Sequence, residues 1–132
     1  MIVVDTNTIA YLYLPSDHAE AIARVLVKDA HWIAPMLWRS EFRNILAVYM
    51  NRDFLTLSEA LDIQQRAEYL LDGNEYAVDS HSVLRLAQES TCSAYDCEFV
   101  CLAQSTHSKL VTADKNPLRA FPDLAVKAYD LQ

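Results

Sequence analysis

Ile2-Val3-Val4-Asp5-Thr6-Asn7 reads as a short β-branched strand that stops on a carboxylate and runs into turn formers. An unbroken apolar run of this kind suits a strand buried on both faces, as in a parallel sheet. The rest of the chain alternates around it. Helical spacing occurs at residues 9–14 and 19–27, separated by the turn signal Pro15-Ser16-Asp17. Residues 31–34 form a second predicted strand, closed by Pro35. Over residues 36–50 the side chains Trp38, Phe42, Ile45, Leu46 and Tyr49 recur at spacings of three and four, the pattern of an amphipathic helix. A further helix is expected over residues 58–71, with Ser58 as its N-cap and Asp72-Gly73-Asn74 as its stop. A strand at 76–78 and helices at 80–89 and 94–106 follow, the last opened by Ser93. Residues 109–112 are a strand, 117–121 a short helix led by Asn116 as cap, and 125–129 a final strand. Short strands alternating with helices imply crossover connections and a parallel sheet with both faces covered.

The chain has 132 residues, 52% of them hydrophobic, which fits a single domain over residues 1–132. There is one glycine, Gly73, where average usage would give about nine. Glycine-loop chemistry is thereby excluded, because phosphate-cradling loops need several glycines to let the backbone approach the ligand. No apolar run reaches the length of a membrane span and no basic leader precedes the first strand, so a non-membrane protein is expected. Cys92, Cys97 and Cys101 are an odd set crowded together, a poor disulfide framework that points to a reducing, cytoplasmic setting. The net charge is −7, at first sight adverse to a polyanionic partner. Residues 53–79, however, hold seven acids against the single base Arg66, leaving 11 acids against 10 bases elsewhere.

In open parallel α/β sheets, ligands bind beyond the carboxyl ends of the strands. Four acids are expected there. Asp5 ends the first strand, Asp114 follows the strand at 109–112, Glu41 is near the start of the 36–50 helix, and Asp96 is in the first turn of the helix at 94–106. Each has a plainer explanation. Ser93-x-x-Asp96 fits a capping box, Asp114 an Asx turn before Asn116-Pro117, and Asp5 an ordinary strand end. Glu41 resists best, since it borders the apolar stripe while Arg39, Ser40 and Arg43 take the wet face. Gathered about 5 Å apart, four ionised carboxylates would repel by roughly 3 kcal/mol per pair at an effective dielectric near 20. Such a cluster requires protonation or a cation, and oxygen donors in a roomy site favour Mg²⁺ or Mn²⁺ over zinc.

The segments Ile2-Val3-Val4-Asp5-Thr6-Asn7, Ser40-Glu41-Phe42-Arg43-Asn44, Ala94-Tyr95-Asp96-Cys97 and Val111-Thr112-Ala113-Asp114-Lys115 resemble, in order and spacing, the four acidic motifs of PIN-domain ribonucleases. The likeness is strongest to the VapC-type toxins of toxin–antitoxin pairs and runs over the whole chain. It implies a three-layer α/β/α fold around a short parallel sheet of four or five strands. It further implies a Mg²⁺ or Mn²⁺ site and endonucleolytic cleavage of RNA. On this resemblance Asp5, Glu41, Asp96 and Asp114 are the metal-binding acids, with Asn7 and Thr112 as polar supports. Some members carry a further acid where this chain has Asn116, which leaves open whether one or two ions bind. A metal held by Asp5, Asp96 and Asp114 would activate a water for direct attack on phosphorus, and Glu41 would bind a second ion or orient that water.

Other readings compete. A Cys/His zinc site built on the three cysteines and His107 is weaker than their use as small core residues. The histidines His18, His31 and His81 suggest packing or surface positions, and Tyr11, Tyr13, Trp32, Trp38 and Tyr49 suggest core or interface. A haloacid-dehalogenase-like phosphatase with Asp5 as nucleophile is expected to show Asp-x-Asp, and here the third residue is Asn7. A catalytically silent interaction domain is expected to have lost an acid. Finally, the helical stretches at 9–14 and 38–50 carry more large apolar side chains than one face of each can turn inward, among them Tyr11, Leu12, Tyr13, Leu14, Trp38, Tyr49 and Met50. Together with the resemblance this suggests a homodimer and an antitoxin segment bound in an apolar groove beside the acids.

Overall fold

A computed structural model describes residues 1–131. Five strands, β1 (Ile2–Val4), β2 (Trp32–Pro35), β3 (Glu75–Tyr76), β4 (Leu110–Val111) and β5 (Ala125–Val126), form one sheet in the order β3-β2-β1-β4-β5. Every neighbouring pair is parallel, with Val3 opposite Ile33 on one side and Leu110 on the other. β1 and β2 are buried throughout, the signature of strands covered on both faces.

Among the described residues, seven helices cover the sheet: α1 (Thr6–Tyr13), α2 (Ala19–Lys28), α3 (Leu37–Asn51), α4 (Leu57–Leu70), α5 (Ser80–Glu89), α6 (Ala94–Ser105) and α7 (Lys115–Ala120). The first four pack against one another, while α6 lies along β1, β2 and β4 with α5 against it. This is the expected three-layer α/β/α architecture. Trp32, Trp38 and Phe42 are the largest fully sealed side chains, and removing any of their rings would cost about 3–5 kcal/mol. The Trp38 and Phe42 rings meet edge to face at 5.7 Å.

The strand order fixes the site. From β1 the chain builds outward through β2 and β3, then returns to build the other way through β4 and β5. The reversal leaves a crevice between the carboxyl ends of β1 and β4, where neighbouring connections diverge to opposite sides.

Several boundaries differ from expectation for local reasons. The first helix starts at Thr6 because Asp5 caps it, accepting from the Thr8 amide. α4 is capped by Thr56, not Ser58: Thr56 and Glu59 exchange bonds in a full capping box. α7 is capped by Asp114, not Asn116, so Pro117 falls in the third helical position. The last strand is two residues long and gives way to a 3-10 turn at Ala128–Asp130. Gly73 takes a positive φ of 77° in the turn after α4, where a side chain would be strained.

The apolar excess expected on α1 and α3 is largely absorbed. Leu14 and Trp38 are buried, and Tyr11, Leu12, Tyr13, Tyr49 and Met50 are half-buried against the core. Tyr11 stacks on His18, and Tyr13 meets Phe42 edge-on while its hydroxyl donates to the Arg66 carbonyl. Apolar side chains exposed elsewhere include Phe54 in the α3–α4 connection and Leu57 and Leu61 in the first turns of α4, at 68%, 64% and 52%, and also Val27, Tyr69 and Leu84 on other helix faces. Among the described residues, no helix is long and apolar enough to cross a membrane.

Candidate active site

Asp5, Glu41, Asp96 and Asp114 line one open cavity of about 430 Å³, together with Thr6, Asn7, Thr112 and Tyr95. Each acid is carried at the start of a helix. Asp5 and Asp114 are the N-caps of α1 and α7, Asp96 is in the first turn of α6, and Glu41 is one turn into α3. Four chain segments, the first and last more than a hundred residues apart, thus present carboxylates to one space. The helix amino ends contribute partial positive charge that eases their mutual repulsion.

Threonines hold two of the four. Asp5 Oδ1 accepts from the Thr8 amide at 2.8 Å and the Thr8 hydroxyl at 2.6 Å, and Oδ2 accepts from Thr112 Oγ1. Glu41 Oε1 accepts from Thr6 Oγ1 at 2.7 Å. Thr112 Oγ1 also accepts the Asp114 amide, linking the two N-cap acids through one hydroxyl. Burial pushes the Asp5 carboxyl up, with Thr112 and Thr8 pulling it back and the Asp114 charge adding to the rise. Glu41 is also pushed up by burial, opposed by Thr6 and reinforced by Asp5 and Asp96. Burial and then Asp114 raise Asp96, against the pull of Ser93.

Among the described residues, no lysine, arginine or histidine lines this cavity. Among the described residues, no three His, Cys, Asp or Glu side chains stand close enough as a group to enclose a metal ion. The donor set nevertheless fits a hard divalent cation in kind. Every charged donor is a carboxylate oxygen, and an open cavity leaves room for the waters Mg²⁺ tends to keep.

The other expected site residues divide. Asn7 is exposed on the cavity wall and Thr112 is buried in it. Asn116 is not part of the lining, and what it offers Asp114 is its backbone amide. Thr6 and Thr8 escape sequence reading as site residues, although Asp5-x-x-Thr8 is itself an N-cap pattern. Arg39 is likewise not on the wet face. Its guanidinium grips both oxygens of Glu75 at 2.6 and 2.7 Å and reaches Glu68 at 3.0 Å, while Trp38 Nε1 donates to Glu75 at 2.7 Å. This network ties the start of α3, and so Glu41, to β3 and α4. It also shows that part of the acidic run at 53–79 is structural. Cys92, Cys97 and Cys101 are buried free thiols, all pushed up chiefly by burial, as core residues on α6 and its approach should be.

Comparison with known proteins follows the same lines. Residues 2–124 match the PIN domain family. The chain is 28% identical over 136 residues to Ribonuclease VapC3 of Pyrobaculum aerophilum, covering 93% of this chain and 96% of that one. Its fold is similar to the crystal structure of FitAcB from Neisseria gonorrhoeae, with a TM-score of 0.78, 16% identity and coverage of 99% and 100% of the two chains. A toxin-antitoxin complex from Klebsiella pneumoniae is similar at a TM-score of 0.71 and 15% identity, over 99% and 100% of the chains. At these identities the structural matches establish a shared fold.

Proposed function

This chain belongs to the PIN domain family, and from that premise we propose that it is a Mg²⁺- or Mn²⁺-dependent endoribonuclease, acting as the toxin of a toxin–antitoxin pair. One observation carries the reading: carboxylates from four separate segments face one cavity that contains no cationic side chain of its own. Residues 1–132 would act as one domain in the cytoplasm.

Asp5, Asp96 and Asp114 would hold the ion, with Glu41 as a second-ion ligand or the residue that orients the attacking water. A bound divalent ion supplies Lewis-acid polarisation of the phosphoryl group and a water of lowered pKa. The protein's own contribution is orientation. Thr8 and Thr112 fix both Asp5 oxygens from opposite sides, so the carboxylate cannot swing away under repulsion from Asp114. Thr6 does the same for one oxygen of Glu41 and leaves the other side of that carboxylate available. Asn7 and Thr112 are the polar supports at the cavity wall. In a metal-assisted mechanism water would attack phosphorus directly, so the ribose 2′-OH need not be the nucleophile.

The same cavity explains silencing. An antitoxin segment that places one arginine or lysine among the acids would satisfy their charge and exclude the metal together. The exposed apolar side chains of Phe54, Leu57 and Leu61 support a homodimer, and the antitoxin segment would lie in an apolar groove beside the acids. Light scattering at micromolar concentration tests the dimer, and a strict monomer refutes it. The reaction is tested with an RNA bearing a single 2′-deoxy residue at the cleavage position. Continued cutting in Mn²⁺ is expected, whereas loss of cutting at that position, or cyclic-phosphate ends from the all-ribo strand, overturns the hydrolytic mechanism.

A further inference from the structure

Beside the acidic cavity is a second, more enclosed one of about 220 Å³, and the two share Thr112 as a wall. Its sides come from α1, α2, the end of β4 and the 3-10 turn after β5. Tyr11 and His18 stack within it, ring centres 4.4 Å apart and planes 18° from parallel, over the apolar side chain of Ile22. Tyr129, 66% exposed, and the exposed Lys127 stand at its edge. None of these side chains is used by the acid site, and Tyr129 contributes nothing to the core.

We propose that this cavity receives the unpaired base of the nucleotide next to the scissile phosphate, stacked against the Tyr11–His18 platform and Tyr129, with Lys127 on the adjoining phosphate. The inference rests on the ribonuclease reading above and supplies what the acid cavity lacks. A wall of carboxylates cannot attract a polyanion by itself, so the strand must be gripped at its flanks. The cavity across Thr112 shares a wall with the acid site and combines aromatic faces with a cation. Proximity is built in, because Ala113, which lines it, precedes Asp114. Flat aromatic faces with hydroxyl and imidazole edges accept a base face-on and leave its edge to hydrogen bonds, which is how proteins hold single-stranded RNA. A base can enter only when unpaired, so the site selects single-stranded substrate.

The test is an abasic scan of a short single-stranded oligoribonucleotide across its cleavage position. Binding is followed by fluorescence anisotropy in Mg²⁺, in an Asp96→Asn background that keeps the strand intact, and cleavage by the parent protein is followed in parallel. One abasic position flanking the cut should weaken binding about 5- to 100-fold. In Tyr129→Ala the same abasic position should carry a smaller penalty, because one of the two stacking faces is already gone. Lys127→Ala should lower the slope of log affinity against log salt by about 0.7. In kinetics, Tyr129→Ala should raise KM with kcat nearly unchanged. If no abasic position matters, or if the penalty is the same in Tyr129→Ala, the base-binding role is overturned. Absence of cleavage by the parent protein would instead overturn the ribonuclease reading, and the binding scan would still decide the role of the cavity.

Discussion

Thr112, at the end of β4, donates its hydroxyl hydrogen to Asp5 Oδ2 at the end of β1, joining residues 107 positions apart across the seam where the sheet reverses direction. The same oxygen accepts the Asp114 amide, so one threonine positions two of the four acids.

Thr112→Val keeps the shape and removes both bonds. Loss of a hydrogen bond to a buried charge should cost about 1.5–3 kcal/mol in urea unfolding. Burial already raises the Asp5 carboxyl and Thr112 opposes that rise, so the variant's Asp5 should hold its proton to still higher pH. The acid limb of the cleavage profile should therefore move to higher pH. An unchanged profile would show that Thr112 does not govern the ionisation of Asp5.

Asp96→Asn and Asp5→Asn should differ in stability. Asp96 is raised by burial and by Asp114, so its ionised form is less favourable folded than unfolded, and neutralising it should stabilise the protein at pH 7. Asp5 is different because its two oxygens accept three bonds, and an amide cannot accept from Thr112 on its nitrogen side. Thermal unfolding should show a gain for Asp96→Asn and none for Asp5→Asn. Equal gains would mean that the threonine bonds add nothing.

The positions of the acids were legible in the sequence because strand ends and helix starts carry short-range signals: a β-branched run, a cap residue, a serine three before an acid. What holds them was not. Thr8 and Thr112 meet at Asp5 only once β1 and β4 are neighbours, and Arg39 finds Glu75 only through a two-residue strand too short to show alternation. Helical periodicity alone therefore assigned Arg39 to solvent. The Thr56 cap is another matter, since Thr56-Leu57-Ser58-Glu59 carries a full capping-box pattern that outranks Ser58.

Arg39 and Glu75 predict a specific acid sensitivity. The two-point grip of Arg39 holds the Glu75 carboxyl below its usual range, with Trp38 adding a bond. A lowered folded value means stability that is present above the unfolded pKa of about 4.3 and lost as pH falls through the folded value. Glu75→Gln should be less stable than the parent by about 1.5–3 kcal/mol at pH 7, and the gap should begin to shrink as pH falls below about 4.3 and close below the folded value. A gap independent of pH would assign the effect to packing.

Mn²⁺ should raise the melting temperature of the parent protein and not that of Asp96→Asn at the same concentration. At 100 times the dissociation constant the gain is about 2.7 kcal/mol. Equal gains in both proteins would place the ion elsewhere.

The most direct measurement is cleavage of a single-stranded RNA in Mn²⁺ by the parent protein beside Asp5→Asn, Glu41→Gln, Asp96→Asn and Asp114→Asn, each shown to be folded. Endonucleolytic products from the parent, abolished by a chelator and by each of Asp5→Asn and Asp96→Asn, are the predicted result, with Glu41→Gln and Asp114→Asn strongly reduced. Full cleavage by Asp5→Asn and Asp96→Asn at saturating metal, or chelator-resistant cleavage by the parent, would contradict a metal-dependent site built on these four carboxylates.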